Sequence, residues 1–150
     1  MTRREPKAAL RQSIELFYFA YRGFTAQADR ILERRGLGRV HHRILYFVGR
    51  NPDTSVQGLL DILGVTKQAL HAPLRQLIAR KLVARTLAVH DRRVKCLRLT
   101  PSGARLEASL TRRQMEHLEQ VFKEVGADAQ DGWRQAMQAL ADSRDLGASR

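Results

Sequence analysis

The stretch from Ser55 to Pro101 leaves this chain few folds to choose from, because it sets two short amphipathic helices across a very tight turn and follows them with a basic β-hairpin. In Ser55-Val56-Gln57-Gly58-Leu59-Leu60-Asp61-Ile62-Leu63 a hydroxyl suited to capping a helix precedes apolar residues at helical spacing. Gly64-Val65-Thr66 follows, with a glycine that accepts a positive φ and a threonine able to cap the next helix. That helix carries Leu70, Leu74, Leu77 and Ile78 at i, i+4, i+7 and i+8, a single buried stripe. Val83 to Val89 then reads as a strand and His90-Asp91-Arg92-Arg93 as a polar tip. Val94 to Leu99 returns with Leu97 and Leu99 on one face and Val94, Cys96 and Arg98 on the other, so the expectation is a two-stranded wing. Thr100-Pro101 places a capping hydroxyl and an N1 proline at the start of another helix.

At about 100° per residue, the side of the second helix opposite its leucines holds Gln68, Ala72, Arg75, Gln76 and Ala79, with His71 at the edge and Lys67 in the first turn. None of these is acidic. Glutamine can pair both edges of adenine, arginine can fork onto guanine, and alanine permits close approach, so the face suits a major groove. A merely solvated helix face would show the same residues. Charge separates the two readings: between Thr66 and Thr100 there are nine Lys or Arg and one acid, Asp91, which gives +8 of the chain's net +12. Such a concentration on two adjacent elements calls for a polyanionic partner, either nucleic acid or an anionic membrane surface. No apolar run approaches the roughly 18 residues of a spanning helix. The N-terminal Met1-Thr2-Arg3-Arg4-Glu5-Pro6-Lys7 leads into an amphipathic helix rather than a signal-peptide core, so no membrane partner and a cytoplasmic location are expected. With one cysteine, Cys96, neither an internal disulfide nor a Cys-x-x-Cys metal site is available.

From Lys7 to about Arg35, Leu10, Ile14, Phe17, Tyr18, Tyr21, Phe24, Ala28, Ile31 and Leu32 recur in steps of three and four, a long helix that needs a large partner surface. Gly36-Leu37-Gly38 ends it, and a second helix follows with Val40, Ile44, Phe47 and Val48 on one side before Asn51-Pro52-Asp53 turns the chain. Beyond Pro101 a helix runs to about Val125; Gly126 interrupts, and Asp128 to Asp142 forms a shorter one with Trp133, Met137 and Leu140 on one face. Together the two ends offer more apolar helix than one small winged unit can cover. A homodimer is expected, with Leu10, Ile14, Phe17, Trp133, Met137 and Leu140 at its interface; packing within one chain is the alternative. Residues from Pro101 onward sum to a charge of about −1, so that end would not repel its twin.

The motifs Thr66-Lys67-Gln68-Ala69-Leu70, Leu74-Arg75-Gln76-Leu77-Ile78, Lys81-Leu82-Val83, Asp91-Arg92-Arg93 and Leu97-Arg98-Leu99-Thr100-Pro101-Ser102-Gly103 resemble, in this order, the winged helix-turn-helix of the MarR (multiple antibiotic resistance regulator) family. The likeness extends over nearly the whole chain and is most specific at the Asp-Arg-Arg tip and the Leu-x-Leu-Thr-x-x-Gly strand end. It implies a mostly α fold with a small β-hairpin wing, in one domain over residues 1–150: a DNA-binding unit at 55–100 between dimerisation helices at 7–35 and 101–145. It implies that Arg93 enters the minor groove with Asp91 holding it, and that Arg92 touches phosphate. Thr66, Lys67, Gln68, His71, Ala72, Arg75, Gln76 and Lys95 complete the expected DNA contacts. The partner would be a pseudo-palindromic double-stranded operator, read by two helices about one DNA turn apart. The family also implies a repressor released by a small phenolic or anionic effector. Tyr18, Tyr21, Arg22, His42 and Tyr46 are the candidates to line its cleft, although an aromatic stripe of this spacing also suits plain packing. Pro73 departs from the pattern: it removes its own amide bond to the Ala69 carbonyl and is expected to kink or rigidify the second helix.

An enzyme is not expected, because His90, Asp91 and Cys96 have no oxyanion site or glycine-rich phosphate loop beside them. No cofactor or metal is expected either: His41 and His42 are adjacent and point about 100° apart on a helix. Cys96 as a redox sensor, its thiolate stabilised by Arg92, Arg93 and Lys95, is the sharper reading of a residue that also suits an ordinary strand position. Two other classes remain open at this point. A protein that coats DNA through charge alone would have the same composition, whereas an RNA-binding winged helix would need an exposed aromatic platform that the sequence lacks.

Overall fold

The computed structural model describes residues 3–87, 91 and 93–143. Ala88, Val89, His90 and Arg92 lie outside the described residues, as do residues 144–150. The elements in order are α1 (Lys7–Arg34), α2 (Arg39–Arg50), β1 (Thr54–Ser55), α3 (Val56–Leu63), α4 (Lys67–Ala79), β2 (Val83–Leu87), β3 (Lys95–Leu99), α5 (Pro101–Val125) and α6 (Ala127–Asp142). Contacts divide the chain into two units, Met1–Gln114 and Met115–Arg150.

Local chemistry sets the helix starts of the first unit. Ser55 Oγ accepts from Gly58 N–H at 3.0 Å, Thr66 Oγ1 from Ala69 N–H at 3.2 Å and Thr100 Oγ1 from Gly103 N–H at 3.0 Å, so each expected cap is formed. Gly64 sits at φ 64° and donates to Leu60 O at 2.8 Å, which closes α3 and lets Thr66 start α4 two residues later. The α4 helix continues unbroken through Pro73.

The core is leucine-rich and draws on every long element of this unit. Ala28 and Leu32 of α1, Ile44, Leu45 and Val48 of α2, Leu59 and Leu60 of α3, and Leu70, Leu74 and Leu77 of α4 pack with Leu82, Val83, Leu97, Leu106 and Leu110. The α1 stripe divides in two: only its C-terminal part, from Thr25, enters this core, while Leu10, Ile14, Phe17 and Phe19 stand more than half exposed. On α2 the buried side includes Leu45, and Val40 faces outward.

The wing differs from the expectation. It has three strands in the order β1-β3-β2, all antiparallel, because Thr54 and Ser55 pair with Leu97 and Cys96 on the far side of β3. On the near side Val83 pairs with Leu99 and Leu87 with Lys95. The strands are also shorter than the alternation suggested, Val83–Leu87 and Lys95–Leu99. On this central strand Cys96, only 5 % exposed, is buried like Leu97 although it points to the opposite face. Burial shields its sulfur from solvent, against the redox-sensor reading.

Between wing and α5 the backbones nearly touch: a Cβ at Gly103 would lie 1.9 Å from the carbonyl oxygen of Leu82, so only glycine fits there. In the second unit Phe122 and Trp133 meet edge to face at 5.3 Å with Arg134 over the Phe122 ring. Trp133 and Leu140 remain exposed and Met137 half-buried.

Candidate nucleic-acid interface

The leucine stripe of α4 is buried, and burying it turns the other side outward. Lys67, Gln68, His71, Ala72, Arg75, Gln76 and Ala79 are all exposed on α4, as the periodicity predicts. Arg75, two amides and small side chains therefore share a solvent-facing surface with no carboxylate on the helix.

The wing supplies a second cationic group in a held position. Asp91 Oδ1 accepts from the Arg93 backbone N–H at 3.0 Å and lies 3.5 Å from Arg93 Nε, while Val94 N–H closes the turn onto Asp91 O at 3.0 Å. The carboxylate thus orients the arginine from two sides, and the guanidinium side chain remains 94 % exposed. Lys95 is exposed at the start of β3. Arg92, the expected phosphate contact, lies outside the described residues.

Not every cation of the segment is available. Arg98 donates from Nε to Asp53 Oδ1 at 2.5 Å and from Nη2 to Asp53 Oδ2 at 2.7 Å, a two-pronged pair that ties β3 to the turn before β1. Asp53 adopts φ 67° and its carboxyl is held below its usual 3.8 by the hydrogen bond from Arg98. Arg80 donates to the Arg35 carbonyl at the end of α1. Gln76 is also engaged: its Oε1 lies 2.6 Å from His41 Nε2 on α2. These three contacts join residues 35 to 45 positions apart and carry no local signature by which sequence reasoning could find them.

Of the residues expected to line an effector cleft, Tyr18 and Tyr21 are exposed on α1, and Arg22 stacks on Tyr18 at 5.9 Å. Tyr21 is held by α2, where Arg43 Nη2 donates to its hydroxyl at 2.6 Å and Arg39, paired with Asp29 at 2.8 Å, covers its ring. Tyr46 is half-buried with its ring edge-on to Phe47. His42 is the unusual member: Nε2 is buried and has no hydrogen-bond partner among the described residues, and burial lowers its pKa below 6.5 despite the opposing pull of Glu107 and Asp29. Among the described residues no group of three or more His, Cys, Asp or Glu could hold a metal ion, and no helix is long and apolar enough to cross a membrane.

Comparison with known proteins agrees with this geometry. A sequence model of the MarR family matches residues 35–94, which include α2, α3, α4 and β2. The HTH-type transcriptional regulator PetP of Rhodobacter capsulatus is 43 % identical over 133 residues, covering 89 % of this chain and 80 % of PetP. Among solved structures, Streptococcus pneumoniae FabT in complex with DNA superposes with a TM-score of 0.80 at 17 % identity, over 91 % of this chain and 99 % of FabT. The S. aureus MepR–DNA complex gives 0.71 at 19 % identity, over 85 % and 93 %. With a winged helix-turn-helix of this topology and a relative this similar over most of its length, the chain belongs to the MarR family of transcriptional regulators.

Proposed function

We propose that the protein is a dimeric repressor that reads a pseudo-palindromic double-stranded operator and leaves it when a small phenolic or anionic effector binds. The observation that carries the reading is the pairing of an acid-free exposed face on α4 with Arg93 held outward by Asp91 at the wing. A helix face of amides, arginine and alanine suits base edges in the major groove, and a pre-oriented guanidinium suits the narrower minor groove beside it. FabT and MepR, which share the fold, are described in complex with DNA, and the same use of the fold is proposed for this chain. Thr66, Lys67, Gln68, His71, Ala72 and Arg75 are assigned to the helix contacts, and Arg93 and Lys95 to the wing.

The dimer rests on the exposed apolar residues of both units. Leu10, Ile14, Phe17, Tyr18 and Phe19 crowd one helix at more than half exposure, and Trp133 and Leu140 are exposed in the second unit. Surfaces of that kind are covered in solution, and a second copy of the chain covers them symmetrically. The effector reading rests on His42, whose buried Nε2 has the chemistry to accept a hydrogen bond from a phenol or carboxylic acid.

Charge-driven coating of DNA is the competing class, since the net charge of +12 supports it equally. Footprinting on a promoter fragment together with salt titration separates the two. A regulator protects a discrete site about 10³-fold or more above random duplex, whereas a coating protein loses affinity with salt equally on every sequence and protects none.

A further inference from the structure

Two side chains, Gln76 in the last turn of α4 and Arg80 at its C-terminal cap, are tied to the corner where α1 ends and α2 begins. Arg80 donates to the carbonyl of Arg35, and its guanidinium lies over Gly36, where a Cβ would come within 3.3 Å of Nη2. Gln76 meets His41, and the tautomer of that imidazole is set by its other contact: Nδ1 accepts the Gly38 N–H at 2.9 Å, which leaves Nε2–H to donate to Gln76 Oε1 at 2.6 Å. His41 therefore completes the start of α2 with one nitrogen and holds α4 with the other.

We infer that His41 and Arg80 fix the pitch of α4 on the α1–α2 corner, and that Gln76 is a positioning residue rather than a reader of bases. The inference rests on the proposal that α4 enters the major groove. Reading adenine requires a glutamine amide to present its carbonyl and its NH2 together to the base. Here the Gln76 carbonyl is directed to α2 and accepts from an imidazole, so the amide is used to set the angle of the helix that carries Arg75 and Gln68. The same corner ends α1, whose exposed apolar half is the proposed dimer surface, so the tie also links the spacing of two copies to the tilt of each reading helix.

The two nitrogens of His41 can be separated by substitution. In His41→Asn the side-chain oxygen replaces Nδ1 and keeps the Gly38 contact, but nothing reaches Gln76. In His41→Gln the amide NH2 takes the place of Nε2 and restores a donor to Gln76. The full-length protein and these variants, with Gln76→Ala and the double variant His41→Asn/Gln76→Ala, are titrated against the operator and against each single-base variant of one half-site. His41→Asn and Gln76→Ala are each expected to weaken operator binding about tenfold, the magnitude of one lost hydrogen bond. The double variant should be no weaker than either alone, and His41→Gln should recover most of the loss. The loss should be spread over the half-site. If Gln76→Ala instead abolishes discrimination at one base pair while His41→Asn leaves binding intact, Gln76 is a reader and the inference is overturned. Additive losses in the double variant overturn it as well. A parent protein with no preferred sequence refutes the operator reading itself, which is a different result from a selective parent insensitive to His41→Asn.

Discussion

Gly103→Ala tests how tightly the wing is joined to α5. The added Cβ would lie 1.9 Å from Leu82 O and 2.8 Å from Leu82 C, both backbone atoms that no rotamer change can move. Relief requires the start of α5 to withdraw from the strand. Three hydrogen bonds cross or brace that junction: Thr100 N–H to Leu82 O at 3.1 Å, Thr100 Oγ1 to Lys81 O at 2.6 Å and Gly103 N–H to Thr100 Oγ1 at 3.0 Å. At about 1 kcal/mol each, their loss amounts to about 3 kcal/mol, comparable to the usual penalty of overpacking a core. For a chain of this size that lowers the midpoint of thermal unfolding by about 6–12 °C. Gly132→Ala is the matched control, since Gly132 lies inside α6 with nothing within 4 Å of the position a Cβ would take. There the same change should add about 0.5–1 kcal/mol through helix propensity. Circular dichroism melts at one fixed chain concentration measure both, because a dimer's midpoint depends on concentration. A Gly103→Ala protein within about 1 kcal/mol of the parent would refute the close approach, since overpacking of this kind costs at least that much.

Other outcomes follow from the same geometry. Arg75→Ala should relax base choice at one position in each half-site by about 1–3 kcal/mol, read by competition among single-base operator variants. Arg93→Ala should weaken operator binding and abolish the preference for a narrow minor groove. Asp91→Ala should cost only a few-fold, because its pair with Arg93 is exposed, and binding that is unchanged or tighter without the carboxylate would contradict the holding role of Asp91. Phe17→Glu, on the exposed half of α1, should yield monomers in sedimentation at micromolar concentration; an unchanged dimer would remove this face from the interface. Asp53 titrates lower when folded than when unfolded because Arg98 pairs with its carboxylate, so the stability it adds is present above about pH 4 and is lost as pH falls through the lower, folded value. The melting difference between the parent and Asp53→Asn should therefore be visible near neutrality and vanish in strong acid.

What the sequence disclosed was mostly local. Ser55, Thr66 and Thr100 cap their helices because the capping oxygen and the amide it accepts from are three residues apart, and the α4 stripe is buried because leucine period alone turns a helix. The exposed cation at the wing tip was legible for the same reason, since Asp91 reaches Arg93 within one turn. What stayed hidden depends on chain segments that meet only after folding. Two residues of β1 carry no period, yet they pair with β3 and make it the central strand, on which Cys96 is buried. Arg98 and Arg80 look like free charges in the sequence, and only the fold brings Asp53 and the Arg35 carbonyl beside them. Gln76 had the chemistry of a base reader, and only the position of His41, on another helix, shows that its carbonyl is engaged. Val40 kept the helical spacing of a core residue yet faces outward, because the neighbouring elements cover the side of α2 that bears Leu45.

The proposed function requires two cationic reading heads kept at one spacing by the apolar helices of two chains. Selection of bound duplexes from a random pool, followed by sequencing, tests this in one step. The expected result is a two-fold-symmetric motif whose half-site centres lie about 10 base pairs, or a multiple of that, apart. Enrichment of no motif, or of a single unrepeated half-site, would contradict it.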